Sequence, residues 1–383
     1  MNSTSVPLGA QPASTTPPGA ARVVAPPPSL QRFEARRGEG PGNWVDYDRH
    51  PAYQPLIEGA SIGMRLSSLL GFAKYFGIIV CKRLISYELI PTHVRKPNTP
   101  TGVLRLLNVA AGHALRRLVP RNSPPATANP VHASLAADGV CVLQLAPHDA
   151  SSIGAASQPL FDGLRQRRGS KADGGREFDE SRSYARRTTH GELFAVVERM
   201  LTTSGALAGV SDYVGRPVAL VDVNPQINDK SDDFWRRIFP DLPAADRPVA
   251  YMHRDASGGD IKAILYMSDV GPDSGAFAYA TGTHRLQQGT LTDWVEETND
   301  QSAWSGTGPV NRARFAALPR ALRRKCSMGN DLLPDGEAAK RLLAAEWTIT
   351  APSGHLVIFD TKGCHRGGMV REGERRVITC VLG

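Results

Sequence analysis

The chain has 383 residues, 41% of them hydrophobic, and a formal net charge of +8. That is enough apolar material for a sizeable core, and without a run of about eighteen uninterrupted apolar residues it offers no clear transmembrane helix. No charged-then-apolar leader opens it, and five scattered cysteines (Cys81, Cys141, Cys326, Cys364, Cys380) make no disulfide framework, which points to a reducing, cytoplasmic setting.

Residues 1–43 are rich in Pro, Ala and Ser and poor in large apolar side chains, so a disordered tail is expected. Residues 44–129 are predicted to form a basic, partly amphipathic helical extension. Between 61 and 122, ten basic residues stand against one acidic residue, Glu88, so the positive charge of the whole chain is concentrated here. Leu66, Leu69, Leu70, Phe72, Phe76 and Ile79 recur at helical spacing with lysines between them. One reading is a helix packed on the body of the protein with its lysines in water. The other is a peripheral membrane contact through residues 64–90. Nucleic acid is the poorer partner, since no recognition module organises these cations.

A third region, 130–383, carries the pattern of a mainly β domain. Residues 135–145 read as a helix end followed by a strand, 164–188 as an exposed loop, and 192–207 as a helix flanking the sheet. Val218 to Asn224 alternates like a strand. Asn224, Gln226 and Asn228 follow, either as turn formers, their commoner use, or lining a pocket. Residues 229–248 look like a loop over the mouth of a site. Strands are predicted over 261–267, 276–281, 355–360 and 374–380. Between the second and third of these lies a long polar insertion, 286–346, expected to cover the site.

The chemistry gathers on Met252-His253-Arg254-Asp255 and, about a hundred residues later, Cys364-His365-Arg366-Gly367. Residues two apart on a strand share a face, so His253 and Asp255 can project side by side. His365 from a distant strand would complete a facial set. Two imidazoles and one carboxylate leave the rest of a six-coordinate shell open, the ligand set expected of non-haem Fe(II) oxygenases. A closed zinc site would want four ligands. Cys364 reads as a buried small residue rather than a fourth ligand.

In order and content, "LYMSDVGPDSGAFAYATGTHR" and "GHLVIFDTKGCHRG" resemble the strand, turn and distal-histidine segments of the phytanoyl-CoA dioxygenase-like family of Fe(II)/2-oxoglutarate oxygenases. The resemblance spans roughly 130–383. It implies a mixed α/β fold with a mainly β core: a double-stranded β-helix (a jelly-roll or cupin-like barrel) with flanking helices and the N-terminal helical extension. It also implies Fe(II), 2-oxoglutarate and O2, with His253, Asp255 and His365 as metal ligands. 2-Oxoglutarate is a dianion, and its far carboxylate needs a fixed cation, for which arginine's planar fork is suited. In the family that arginine follows the distal histidine by ten or eleven residues. Arg375 and Arg376 both qualify, and Arg375 is favoured because it shares a face with Val377 and Thr379. The reaction implied is hydroxylation of an unactivated C–H bond of a small-molecule or lipid-like substrate, with release of succinate and CO2. The presence of Asp255 favours this over halogenation. His284 and Arg285 are candidates for contacting an anionic substrate or for a structural role. The alternative is a non-catalytic barrel scaffold whose basic N-terminal region binds a membrane or a protein partner.

Overall fold

The computed structural model describes residues 21–36, 39–84, 90, 99–118, 129–169, 182–229, 252–255, 261–286, 290–303, 309–324, 331–333 and 335–383. The expected loop at 229–248 lies almost wholly outside these. So do residues 170–181 of the expected 164–188 loop, whose first part is instead the end of a helix.

Two antiparallel sheets face each other. The larger contains β1 (Arg22–Val24), β2 (Val140–Gln144), β3 (Leu220–Asp229), β4 (Ile261–Tyr266), β7 (His355–Asp360) and β9 (Glu374–Leu382), in the order β1-β2-β7-β4-β9-β3. The smaller contains β5 (Phe277–Ala280), β6 (Glu346–Ile349) and β8 (His365–Arg366), in the order β6-β5-β8. The central strands are apolar on both faces, and strand alternation sorts their side chains into two cores. Leu143, Ala263, Leu265, Leu356, Ile358, Ile378 and Cys380 look outward into a cluster shared with the helices. Val142, Tyr266, Val357, Phe359 and Val377 look inward and meet Phe277, Tyr279, Trp347 and Ile349 of the smaller sheet. Phe277 and Phe359 touch across the gap with ring centroids 4.6 Å apart. Burying a side chain of this size contributes about 1.5–3 kcal/mol.

The helices on the outer face are α4 (Pro130–Asp138), α5 (Pro147–Gly169), α6 (Gly191–Thr203) and α7 (Ala206–Val214). The boundaries of α4 have local causes. The Asn129 side chain accepts a hydrogen bond from the Val131 amide at 2.9 Å, Pro130 opens the first turn, and Gly139 ends the helix at φ 77°. A Cβ at Gly139 would also strike the Tyr279 hydroxyl and the His284 ring, so helix, inner core and strand β2 are fitted together at that glycine.

Before α4 the chain forms α1 (Gln54–Glu58), α2 (Ile62–Leu84) and α3 (Pro100–Leu118). After β5 it forms α8 (Thr290–Ala303), α9 (Pro309–Ala316) and α10 (Glu337–Ala344). Far apart in sequence, α1 and α2 pack with α8 and α9. Tyr47, Tyr53 and Phe72 pack with Val295, Phe315 and Leu318. Asp331 accepts hydrogen bonds from the hydroxyls of Tyr47 and Tyr53, each at 3.0 Å, and Arg83 pairs with Glu297 at 2.6 Å.

Two expectations need correction. Residues 21–36 and 39–43 are not a free tail. Arg22–Val24 pairs with Val142–Gln144 as an edge strand, the Phe33 amide donates to the Thr281 carbonyl at 2.8 Å, and Arg32 meets Asp138 at 2.5 Å. The prolines of this stretch sit beside the short strand rather than in it, so they do not remove ladder donors. Asn224, Gln226 and Asn228 are not turn residues. They lie within β3, which runs on to Asp229. Helix α2 has the length and mean composition of a membrane span, with 17% of its most apolar stretch buried, but Arg65, Lys74, Lys82 and Arg83 interrupt its apolar runs.

Candidate metal centre

His253, Asp255 and His365 converge. One ligand atom from each lies within 4.8 Å of the others, and among the described residues they are the group of His, Cys, Asp and Glu side chains close enough to hold a metal ion. The backbone explains why. The His253 amide donates to the His365 carbonyl at 2.9 Å, and the His365 amide donates back to the His253 carbonyl at 2.8 Å. The Asp255 amide donates to the Thr361 carbonyl at 3.0 Å. The segments 253–255 and 361–365 therefore run side by side, antiparallel, with their functional side chains together.

His365 is placed by the smaller sheet, where it pairs with Tyr279 of β5. Its ring is buried against Phe359 and Phe277 at centroid distances of 4.9 and 5.7 Å. Its Nδ1 lies 2.9 Å from the Gly363 carbonyl, which fixes the ring and leaves Nε2 to face the cluster. Gly363 itself has no room for a side chain: a Cβ would lie 1.8 Å from the Tyr279 hydroxyl oxygen. The turn before His365 is held by Asp360, which accepts from the Lys362 amide at 2.9 Å and from the Tyr213 hydroxyl at 2.7 Å.

The electrostatics suit a cation. His253 Nε2 is 3.8 Å from Asp255 Oδ1, and His365 Nε2 is 3.6 Å from Asp255 Oδ2. Burial opposes ionisation of Asp255, but the charge and hydrogen bond of the Lys262 ammonium outweigh it, so the carboxyl titrates well below its ordinary range. Burial, reinforced by the neighbouring His253 ring, pushes His365 down to about 3 and keeps it neutral, the form that ligates metal. The side chains of His253 and Asp255 stay about a quarter exposed while His365 is nearly covered, so the cluster is open on one side.

Lys262 is the residue that sequence reasoning missed. Its ammonium lies 2.7 Å from Asp255 Oδ2. The alternation of β4 was the available signal, because Lys262 shares the inward face with Ile264 and Tyr266. Arg254, between the two candidate ligands, points away toward α8, where it lies 3.7 Å from the buried Glu296. The insertion thus touches Arg254 through α8. Cys364 does not join the metal group. It is buried, and burial raises its thiol to about 12.

The two arginines part company on β9. Arg375 lies on the face that carries Val377 into the inter-sheet core, and Arg376 on the face of Ile378 and Cys380. Arg375 donates to the Gly275 carbonyl and comes near Gly367, two residues past His365. Its Nε has no hydrogen-bond partner, nor has the Nδ2 of Asn228, the residue opposite it on β3. Burial, with the like charge of Arg182 beside it, lowers the pKa of Arg375. Arg376 instead leans on Glu374 at 3.6 Å. On the inner face of β3, Gln226 donates to the Thr379 hydroxyl at 2.9 Å. The β3–β9 end of the gap is therefore polar where the β2–β7 end is apolar. Two buried donors without partners are what a carboxylate would satisfy.

His284 and Arg285 are not in this cluster. They occupy a short turn against α4, where His284 is buried beside Gly139 and Arg285 donates to the Ala136 carbonyl at 2.5 Å.

No protein-family model matches the chain, and no curated protein does. Solved structures similar to it include a non-haem α-ketoglutarate-dependent epimerase, SnoN from nogalamycin biosynthesis. That match has 13% identity, 66% of this chain and 80% of that one covered, and a TM-score of 0.35. Another is AviO1 from Streptomyces viridochromogenes Tue57, at 14% identity, 68% and 96% covered, TM-score 0.38. A third is HygX from Streptomyces hygroscopicus with nickel and 2-oxoglutarate bound, at 16% identity, 67% and 87% covered, TM-score 0.36. Likeness this slight decides nothing about the chemistry, which has to be read from the residues of this chain.

Proposed function

We propose that the protein is an Fe(II)- and 2-oxoglutarate-dependent oxygenase that hydroxylates an unactivated C–H bond of a small-molecule or lipid-like substrate. The observation that carries this is the meeting of His253, Asp255 and His365 in the gap between the two sheets, on the same inner side as the unsatisfied donors of Arg375 and Asn228. We read the facing sheets as a double-stranded β-helix of the kind seen in phytanoyl-CoA dioxygenase-like enzymes.

The donor set fits the metal. Two imidazoles and an ionised carboxylate match a 2-His-1-carboxylate site and leave positions for other ligands. Arg375 and Asn228 would receive the far carboxylate of 2-oxoglutarate, and the wall of Phe277, Phe359 and Tyr279 shields the His365 side of the cluster from water. When bound, Fe(II) and 2-oxoglutarate would supply the oxidising power: 2-oxoglutarate and O2 are converted to succinate and CO2 as one oxygen atom enters the substrate C–H bond. The task of the chain is to keep the His365 imidazole neutral, to hold Asp255 ionised, and to orient the co-substrate.

A second reading has one observation in its favour. Lys262 already neutralises Asp255, as it would in a barrel kept only as a scaffold. Incubation with Fe(II), 2-oxoglutarate and O2, with succinate measured against His253→Ala, separates the two. Succinate formed by the wild type and not by the variant supports the oxygenase. A protein that binds no divalent metal and forms no succinate supports the scaffold.

A further inference from the structure

We propose that the outward face of α2 docks the protein on an anionic lipid bilayer, with the helix lying flat in the interface and not crossing it.

A helix on the surface of a soluble domain turns apolar residues inward and polar ones outward. In α2 both faces are apolar. The inward face carries Phe72 and Ile79, both buried, and Phe76 meets Trp294 of α8 with ring centroids 6.4 Å apart. At about 100° per residue, Ile62, Leu66, Leu69, Leu70 and Leu84 fall within a single arc on the other side. They are not covered: Ile62 is 79% exposed, Leu70 73%, Leu84 60% and Leu66 59%. The next helix repeats the feature. Leu104 and Leu107 of α3 are 67% and 60% exposed, with Val103 beside them. Apolar surface on this scale marks a binding site.

Charge identifies the occupant. Neither α2 nor α3 contains an acidic residue, while Arg65, Lys74, Lys82 and Arg83 punctuate α2 and Arg105 lies in α3. An apolar stripe edged by cations fits a bilayer carrying negative headgroups. A second copy of this chain fits poorly, since the same cations would face each other. Crossing the membrane fits poorly too, although α2 has the length for it. Its inward face is committed to α8 through Phe76 and through Arg83, which pairs with the nearly covered Glu297 at 2.6 Å. A spanning helix would have to give up both.

The test uses the full chain and sedimentation with vesicles of phosphatidylcholine alone and of phosphatidylcholine with phosphatidylserine. The expected result is binding to the phosphatidylserine vesicles, weakened at high salt. It should weaken by about tenfold or more in the double variant Leu66→Ser/Leu70→Ser, which removes exposed apolar area without touching the packed face. An unchanged melting temperature in that variant shows that the fold is intact. Lys74→Glu should weaken binding to the same vesicles without altering the stripe. Each of these results would overturn the proposal: no binding to either vesicle, equal binding to both, unaltered binding by the double variant, or retention in the membrane through alkaline extraction, which would mean a spanning helix. A concentration-dependent dimer that the double variant abolishes would also overturn it and assign the face to a second copy.

Discussion

Lys262 Nζ lies 2.7 Å from Asp255 Oδ2, so the carboxylate that would ligate a metal already holds a cation of the protein's own. The contact restrains the carboxylate, and it leaves Oδ1, the oxygen toward His253, as the atom free of that ammonium. It also sets a like charge beside any incoming ion.

Removing a positive charge this close to a metal ligand favours the metal, so Lys262→Met should bind Mn2+ or Co2+ about tenfold more tightly. Isothermal titration on both proteins checks it. A variant that binds metal more weakly would mean that Lys262 acts mainly to orient Asp255.

A second prediction separates the arginines. Arg375→Ala should weaken 2-oxoglutarate binding by about tenfold to a hundredfold, the worth of a charge-assisted hydrogen bond to a carboxylate, and Arg376→Ala should leave it nearly unchanged. Equal, small losses, measured by tryptophan quenching or titration calorimetry on the metal-loaded protein, would remove the carboxylate role from β9.

Glu296 provides a pH test away from the cluster. Burial raises its pKa to about 7, and Arg254 only partly offsets that. The protonated form is therefore favoured in the folded state. The cost of burying Glu296 is absent below its ordinary value of 4.5, grows as the pH rises from there, and levels off above about 7. Glu296→Gln should then raise the melting temperature at pH 8 and leave it nearly unchanged at pH 4. A gain of equal size at both values would show that the charge is not the cause.

The fourth prediction tests the N-terminal segment as part of the fold. Phe33 is buried, stacks near Trp44 and lies under the Arg341 guanidinium. Phe33→Ala should cost about 3 kcal/mol, near the lower end for such a truncation because the site is at the edge of the body. Denaturant unfolding measures it. A loss below about 0.5 kcal/mol would put the segment outside the cooperative unit.

How much of this was legible in the sequence differs by element. In β7 the run Leu356-Val357-Ile358-Phe359 is strand-like whichever face it turns inward, so its existence did not depend on tertiary context. The two histidines and Asp255 stood out as motif residues, but their meeting depends on the antiparallel bridge between His253 and His365, a register no local pattern states. Lys262 sits seven residues from Asp255 on a separate strand, and its contact is evident only once one face of β4 is known to look inward. β1 went unseen because three residues among prolines have the composition of a linker, and their ladder partner lies more than a hundred residues away. The union of residues 44–84 with α8 and α9 was hidden for the same reason. Tyr47 and Phe315 touch with ring centroids 4.8 Å apart although more than 260 residues separate them in sequence.

The paired amide bonds between His253 and His365 have a consequence for the apo protein. They bring the two imidazoles together before any ion arrives, so a metal entering the site meets a pre-organised receptor and need not gather loose strands. Hydrogen exchange at those two amides should already be slow in metal-stripped protein, and chelation should silence the centre without unravelling it, unlike a zinc finger, whose ion holds the chain together.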